Sequence, residues 1–365
     1  MKAITIFWAS QMNKILHLVL LFSGLLIVTI SSATLYEDAE DGDTSGNVPP
    51  NVRGWFIYDG TPAGAVISNV YDADKNSRVI KFVGPGNTQN GYMLGDWYPT
   101  SAGTWNNTNE FNVHWCSKHN TDFVVYLRVY TTAINPNYTG LSRFQRYIYY
   151  SAVDSDGGLA ANGTYIHHGL GTDKRDGQWH SFNRDLQADL NEFEPGNTIT
   201  SVVAFLTRGT GSFDDIHLTA QPMKPKINLK KTVATIYDPI NLTSSPKSIP
   251  GAVHEYTLKA ENFGFMHADN NTTVLQETIP PNTKTCVANI GQCKKPYLNS
   301  ATNSSGMALG VVTYTVSGVD TINPPADVDG FNTNVSKIKI AMQGEFPDVC
   351  SGAHSFEVKF RTGLE

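Results

Sequence analysis

The sequence predicts an all-β protein built from two β-sandwich domains, and three observations carry that prediction. Only 16% of the 365 residues are charged, 11% are aromatic and 31 are glycine, a mix that suits sandwiches with long polar loops and is too apolar for a disordered chain. Short runs with period-two apolar alternation recur between clusters of Gly, Asn, Asp and Pro, as half-buried antiparallel strands require. A proline- and lysine-containing break at residues 221–229 separates two such series. The formal net charge of −6, with KPKINLKK at 224–231 as the only basic run, argues against a nucleic-acid partner.

In chain order, residues 1–33 come first. From Met12 they read MNKILHLVLLFSGLLIVTISSAT: a lysine, an apolar run from Ile15 to Ile30, then Ser31-Ser32-Ala33. This is the layout of a secretory signal peptide cleaved after Ala33, with Met12 as an alternative start. The competing reading is an uncleaved membrane anchor, because the run approaches spanning length. After cleavage no further stretch is apolar enough to span a membrane, so the chain is expected to be secreted or at the cell surface.

Residues 34–220 carry the runs RVIKFVG, EFNVHWC, DFVVYLRVYTT, RYIYYSAV, QWHSFNRDL and TSVVAFLTRG. Short β-branched and aromatic strands at this spacing predict an antiparallel sandwich of jelly-roll type. One exception is DLQADLNEF, where Leu186, Leu190 and Phe193 fall on one side of a short helix. The segment 230–365 repeats the strand pattern in KKTVATIYD, HEYTLKAENFG, VVTYTVSGV, SKIKIAMQGEF and SFEVKFRTG, and its size fits an immunoglobulin-like sandwich. Of four cysteines, Cys286 and Cys293 flank a short loop and are the easiest pair to close. Cys350 competes for either, and Cys116 stands far upstream.

IPGAVHEYTLKAENFGFMHADNNTTVLQETIPPNT resembles a conserved repeat domain of bacterial surface proteins. Lys231 to Val233, Pro250-Gly251, Tyr256-Thr257, Asn262, Gly264 and Ile279 to Thr283 follow that family's order. The resemblance implies an immunoglobulin-like module with no catalytic residues; the insertion TCVANIGQCKKPY departs from it. The first domain is similar in pattern to secreted jelly-roll modules of the carbohydrate-binding type, through its opening YEDAEDG, the internal DGQWHSFNRDL and the closing GSFDDIHL.

Glu37, Asp38, Glu40 and Asp41 begin the first domain, and Asp214 with Asp215 lie on its last strand. First and last strands of a jelly roll run side by side, so these carboxylates are expected to meet and to bind a structural calcium ion; the alternative is ordinary surface acids. DADKNSR (72–78), VDSDGG (153–158) and DVDG (327–330) lack the ligands of a calcium loop and are read as turns.

No nucleophile elbow, HExxH, phosphate loop or dinucleotide fingerprint is present. A lyase using Tyr147, His167 and Arg146 is the enzymatic alternative, and a carboxylate pair for hydrolysis has no fixed spacing to search for. Sites for N-glycosylation at Asn106, Asn137, Asn162, Asn241 and Asn303 matter only in a host that glycosylates.

Binding has more material. Trp97, Tyr98 and Trp105 stand in the polar loop GDWYPTSAGTWNNTN, Tyr147 and Tyr149 in RYIYY, and His167 and His180 on neighbouring strands. Aromatics beside polar groups suit sugars, whose C–H faces pack on rings while their hydroxyls hydrogen-bond. In YIHHGL, Tyr165 and His167 share one face and Ile166 and His168 the other, so the adjacent histidines point apart. The expected function is non-catalytic binding of an extracellular polysaccharide or surface glycan, or adhesion. The alternative is a structural surface-layer or filament subunit that self-associates.

Overall fold

Alternation becomes strand throughout. The first half contains β1 (Ala33–Glu37), β2 (Phe56–Asp59), β3 (Val66–Asp72), β4 (Ser77–Val83), β5 (Gly91–Gly95), β6 (Asn112–Lys118) and β7 (Val124–Thr131). It continues with β8 (Gln145–Ser151), β9 (Gly158–Leu159), β10 (Tyr165–Gly169), β11 (Trp179–Asp185), helix α1 (Leu186–Phe193), β12 (Ile199–Arg208) and β13 (Gly211–Thr219). This computed structural model describes residues 33–46, 54–85, 88–97, 105–352 and 354–365. The expected signal segment therefore lies outside the described residues apart from Ala33, which opens β1 opposite Thr219.

Two sheets face each other. The first has the order β11-β6-β13-β4-β3, with β1 also paired to β13; the second runs β2-β5-β12-β7-β8-β10-β9. First and last strands of this half do lie side by side. Ile80, Phe82, Trp115, Phe182 and Phe213 from the first sheet meet Leu94, Leu127, Ile148, Tyr150, Ile166 and Phe205 from the second. Trp115 is fully buried and stacks on Phe182 at 5.0 Å; burying each large side chain of this kind contributes about 1.5–3 kcal/mol. Helix α1 starts where Asp185 caps it, accepting the amide hydrogens of Gln187 and Ala188, and Leu186 and Leu190 are buried as the spacing predicts.

YIHHGL and QWHSF are not a hairpin. β10 belongs to the second sheet and β11 to the first, and the chain crosses the sandwich between them through a 3-10 turn at Thr172–Arg175.

The second half contains β14 (Ile227–Tyr237), β15 (Val253–Asn262), β16 (Val274–Thr278), β17 (Thr283–Cys286), β18 (Tyr297–Leu298) and β19 (Ala308–Val316). It closes with β20 (Val319–Thr321), β21 (Phe331–Asn332), β22 (Val335–Gln343) and β23 (Ser355–Leu364). β14 begins inside the expected linker. One sheet is β14-β15-β23-β17-β21 with β18 on β23; the other is β16-β22-β19-β20. Leu258, Phe356, Val358 and Phe360 pack against Leu275, Tyr314, Ile338 and Ile340 between them.

Residues 33–365 form one compact unit. The contact between halves is made on the outer face of the first sheet. Phe265 packs on the rings of His114 and His217 at 4.6 and 4.2 Å, and its carbonyl accepts from Asn183 Nδ2 at 2.9 Å. Gly352 (φ +64°) lies against the backbone of Asp74 and Lys75, where a Cβ would come 2.7 Å from a carbonyl oxygen. A disulfide between Cys116 and Cys350 fastens this contact, and Cys286 bonds Cys293 within the second half.

Candidate aromatic binding face

The outer face of the seven-stranded sheet is built by register. Arg128 on β7 stands opposite Tyr147 on β8, which stands beside Tyr165 on β10. Two residues along, Tyr126, Tyr149 and His167 form a second row across the same strands. Phe56, Met93 and Leu206 extend that second row across β2, β5 and β12. All are on the parity opposite to the core residues Leu127, Ile148 and Ile166, because a strand alternates its faces.

The rings touch along and between rows. Tyr147 stacks on Tyr165 at 5.0 Å, Tyr126 on Tyr149 at 5.7 Å, and Tyr149 lies 4.5 Å from His167. The Arg128 guanidinium sits 5.0 Å from the Trp97 ring and 5.7 Å from Tyr147, cation–π distances that fix ring orientation. Tyr58 contributes its ring over Gly91, where a Cβ would be only 2.3 Å from it. Its hydroxyl is hydrogen-bonded to that of Tyr126, and Arg208 lies over its ring while pairing with Asp59 at 3.0 Å.

Burial pushes the Tyr147 phenol up to about 12 and raises Tyr58 and Tyr149 as well. These groups stay protonated at neutral pH and can donate hydrogen bonds. Desolvation, and His168 next to it, lower the His167 value, so that ring is neutral and offers one donor and one acceptor.

The face brings together four of the expected ligand residues, Trp97, Tyr147, Tyr149 and His167. Tyr98 lies outside the described residues. Trp105 corrects its expectation: it is 3% exposed and packs on Tyr36 at 3.8 Å, in the core. Polar sequence neighbours suggest an exposed ring, whereas its packing partner Tyr36 arrives from β1. His180 is also corrected in place. It lies on β11 of the opposite sheet with its Nε2 2.9 Å from Asp176, far from the tyrosine rows in the strand order. Arg146, the cation of the lyase alternative, points to the other side of β8 and pairs with Glu194 at 2.7 Å. Tyr58, Tyr126, Arg128, Tyr165 and Arg208 were missed. Tyr165 was legible as sharing a face with His167, and Tyr126 shares its face of β7 with Arg128, but alternation does not say which strand lies beside that face.

The expected calcium ligands do not form one site. Glu37 is fully buried and accepts from Ala39 N at 2.8 Å and Trp55 Nε1 at 2.9 Å; burial raises it to about 8. Glu40 accepts from Ser77 Oγ and Arg78 N, and Asp41 from Asp43 N. Asp38 lies beside them on the same turn. A β-bulge with Asp215 at φ +52° turns Asp214 and Asp215 toward the same side, where Lys75 Nζ lies 3.0 and 2.8 Å from them. The cation between Asp214 and Asp215 is an ammonium of the chain itself.

A cleft of about 330 Å³ in the second half lies between Tyr237, Pro239, Ile290 and Phe331. It is separate from the tyrosine rows. Among the described residues, no helix is long and apolar enough to cross a membrane.

No family model matches the chain, and no curated protein matches it. Among solved structures the chain is similar to the CBM22-2 xylan-binding domain of Xyn10C from Paenibacillus barcinonensis, with 13% identity and a TM-score of 0.25 over 51% of this chain and 98% of that one. The CBM22-1-CBM22-2 tandem of the same protein gives 9% identity and a TM-score of 0.28 over 93% and 98%. An exo-beta-agarase gives 11% identity and a TM-score of 0.24 over 53% of this chain, covering 25% of that enzyme. Likenesses this distant carry no argument, and the functional reading rests on the side chains.

Proposed function

We propose that this chain is a secreted or cell-surface protein that binds an extracellular polysaccharide or surface glycan on the outer face of the seven-stranded sheet, without cleaving it. The second half serves as an immunoglobulin-like spacer. The observation that carries this reading is the pair of rows Arg128-Tyr147-Tyr165 and Tyr126-Tyr149-His167, in which the half-buried rings of Tyr147, Tyr149, Tyr165 and His167 lie beside the buried Tyr126 and the buried Arg128 guanidinium. Pyranose C–H faces pack on such rings while hydroxyls exchange hydrogen bonds with the polar tips. Raised tyrosine values support binding over catalysis by a phenolate base. Affinity electrophoresis of residues 34–365 on a panel of soluble polysaccharides tests the reading. Retardation by at least one polysaccharide, lost in Tyr149→Ala, is expected; no retardation on any member overturns it.

Self-association is a second reading, favoured by β14. This 11-residue strand pairs with β15 and ends the order of its sheet, and Ile227, Leu229 and Val233 are exposed on it. A long edge is a template for another strand, although Lys230 and Lys231 interrupt it. Sedimentation velocity at rising concentration separates the readings.

A further inference from the structure

We propose that Asp156, His168 and Glu192 form a binding site for a divalent transition-metal cation of the zinc class. His168 sits on the inward parity of β10 and is 1% exposed. Its Nε2 is 3.2 Å from the Asp189 carbonyl oxygen. A carbonyl only accepts, so Nε2 carries the proton. Nδ1, on the other side of the ring, is buried with no hydrogen-bond partner. Facing it are two groups that also only accept: Glu192 Oε2 at 3.7 Å and Asp156 Oδ1 at 3.8 Å.

These separations are too long for hydrogen bonds and suit a shared ion. The three atoms lie within 4.8 Å of one another. A point equidistant from atoms so spaced is roughly 2.1–2.4 Å from each, close to the bond lengths of about 2.0–2.2 Å that zinc makes to nitrogen and carboxylate oxygen. Imidazole nitrogen with two carboxylates is a donor set for zinc or a similar ion, whereas calcium takes oxygen ligands. Three protein ligands leave a fourth position for water. The His168 Nε2 contact to a backbone carbonyl is the orienting bond that metal-bound histidines make.

Three elements deliver the ligands. β10 supplies His168, the last turn of α1 supplies Glu192, and the loop after β8 supplies Asp156. Gly169 allows the loop to come close: a Cβ there would lie 2.6 Å from the Val153 carbonyl oxygen. The Gly169 amide then donates to Asp156 Oδ1 at 2.7 Å, fixing the carboxylate beside the ring. Both carboxylates are exposed, so an ion can enter from solvent. The site uses no residue of the tyrosine rows and does not depend on the glycan reading.

The test uses untagged residues 34–365, stripped of metal and titrated calorimetrically with zinc chloride at neutral pH. One equivalent should bind, and D156N and E192Q should each weaken it by about tenfold or more. Both substitutions fall on exposed side chains, and circular dichroism verifies that the variants fold. Nitrogen NMR of the histidines should move the His168 Nδ1 signal on zinc addition while Nε2 stays protonated. Unchanged zinc affinity in both D156N and E192Q would overturn the site. So would a His168 ring protonated on both nitrogens and indifferent to zinc, which is the signature of a plain ion pair.

Discussion

Asp214 and Asp215 are adjacent in sequence, and one buried ammonium, that of Lys75, holds both. Taking the ammonium away leaves two carboxylates in a low-dielectric site with no compensating charge. Lys75→Met should therefore destabilise the fold by about 3–5 kcal/mol, read from guanidinium unfolding; a loss under about 1 kcal/mol would mean that solvent already screens the pair. Glu37 gives a pH signature. Its folded value of about 8 lies above the 4.5 of a free glutamate, so the folded state holds the proton more tightly. Its contribution to stability is fully present below about pH 4.5 and is lost as pH rises through about 8. The difference in unfolding free energy between wild type and Glu37→Gln should fall across that window, and a flat difference would refute the assignment. His114, His119 and His217 have the opposite sign. Burial lowers them to about 3, 3 and 4, so their contributions are present above about pH 6.5 and fade on acidification. Comparing the variant with wild type cancels them.

β10 illustrates how one strand serves two purposes. Tyr165 and His167 join the tyrosine rows, while Ile166 and His168 enter the interior, one as core and one facing the carboxylates of Asp156 and Glu192. That division was legible from alternation alone, and so were Tyr147 and Tyr149 against Tyr150. Which strand would lie beside them was not legible, because β8 and β10 pair directly and in parallel although β9 comes between them in the chain, and parallel pairing leaves no hairpin signal. The assignment of His180 to β11 gives a discriminating prediction. Tyr149→Ala should weaken polysaccharide binding by about tenfold, in line with a lost ring contact of about 1.4 kcal/mol, whereas His180→Ala should leave affinity within about twofold. Equal losses from both would place the ligand elsewhere. VDSDGG is a bent loop that runs into β9; its Asp156 also faces His168, a partner 12 residues on that turn chemistry does not reveal.

At the scale of the molecule, the second half packs on the outer face of the first sheet, on the opposite side of the sandwich from the tyrosine rows. The Cys116–Cys350 bond closes a separation of 234 residues across that contact. Replacing both cysteines by serine should lower stability by about 2–5 kcal/mol and split a single calorimetric transition into two, one for each half. A single transition at unchanged temperature would show that the packing of Phe265 on His114 and His217 suffices. The all-β class, the helical turn at α1, the shared face of Tyr147 with Tyr149 and of Tyr165 with His167, and the easy Cys286–Cys293 pair were legible in the sequence, because alternation and short loops are local properties. Folding in three dimensions is what sets Lys75 between Asp214 and Asp215, makes Trp105 core, brings Tyr126 and Arg128 into the rows and joins Cys116 to Cys350. Each of these depends on strand order and on residues far apart in the chain, and no local pattern encodes which of several compatible strands becomes a neighbour.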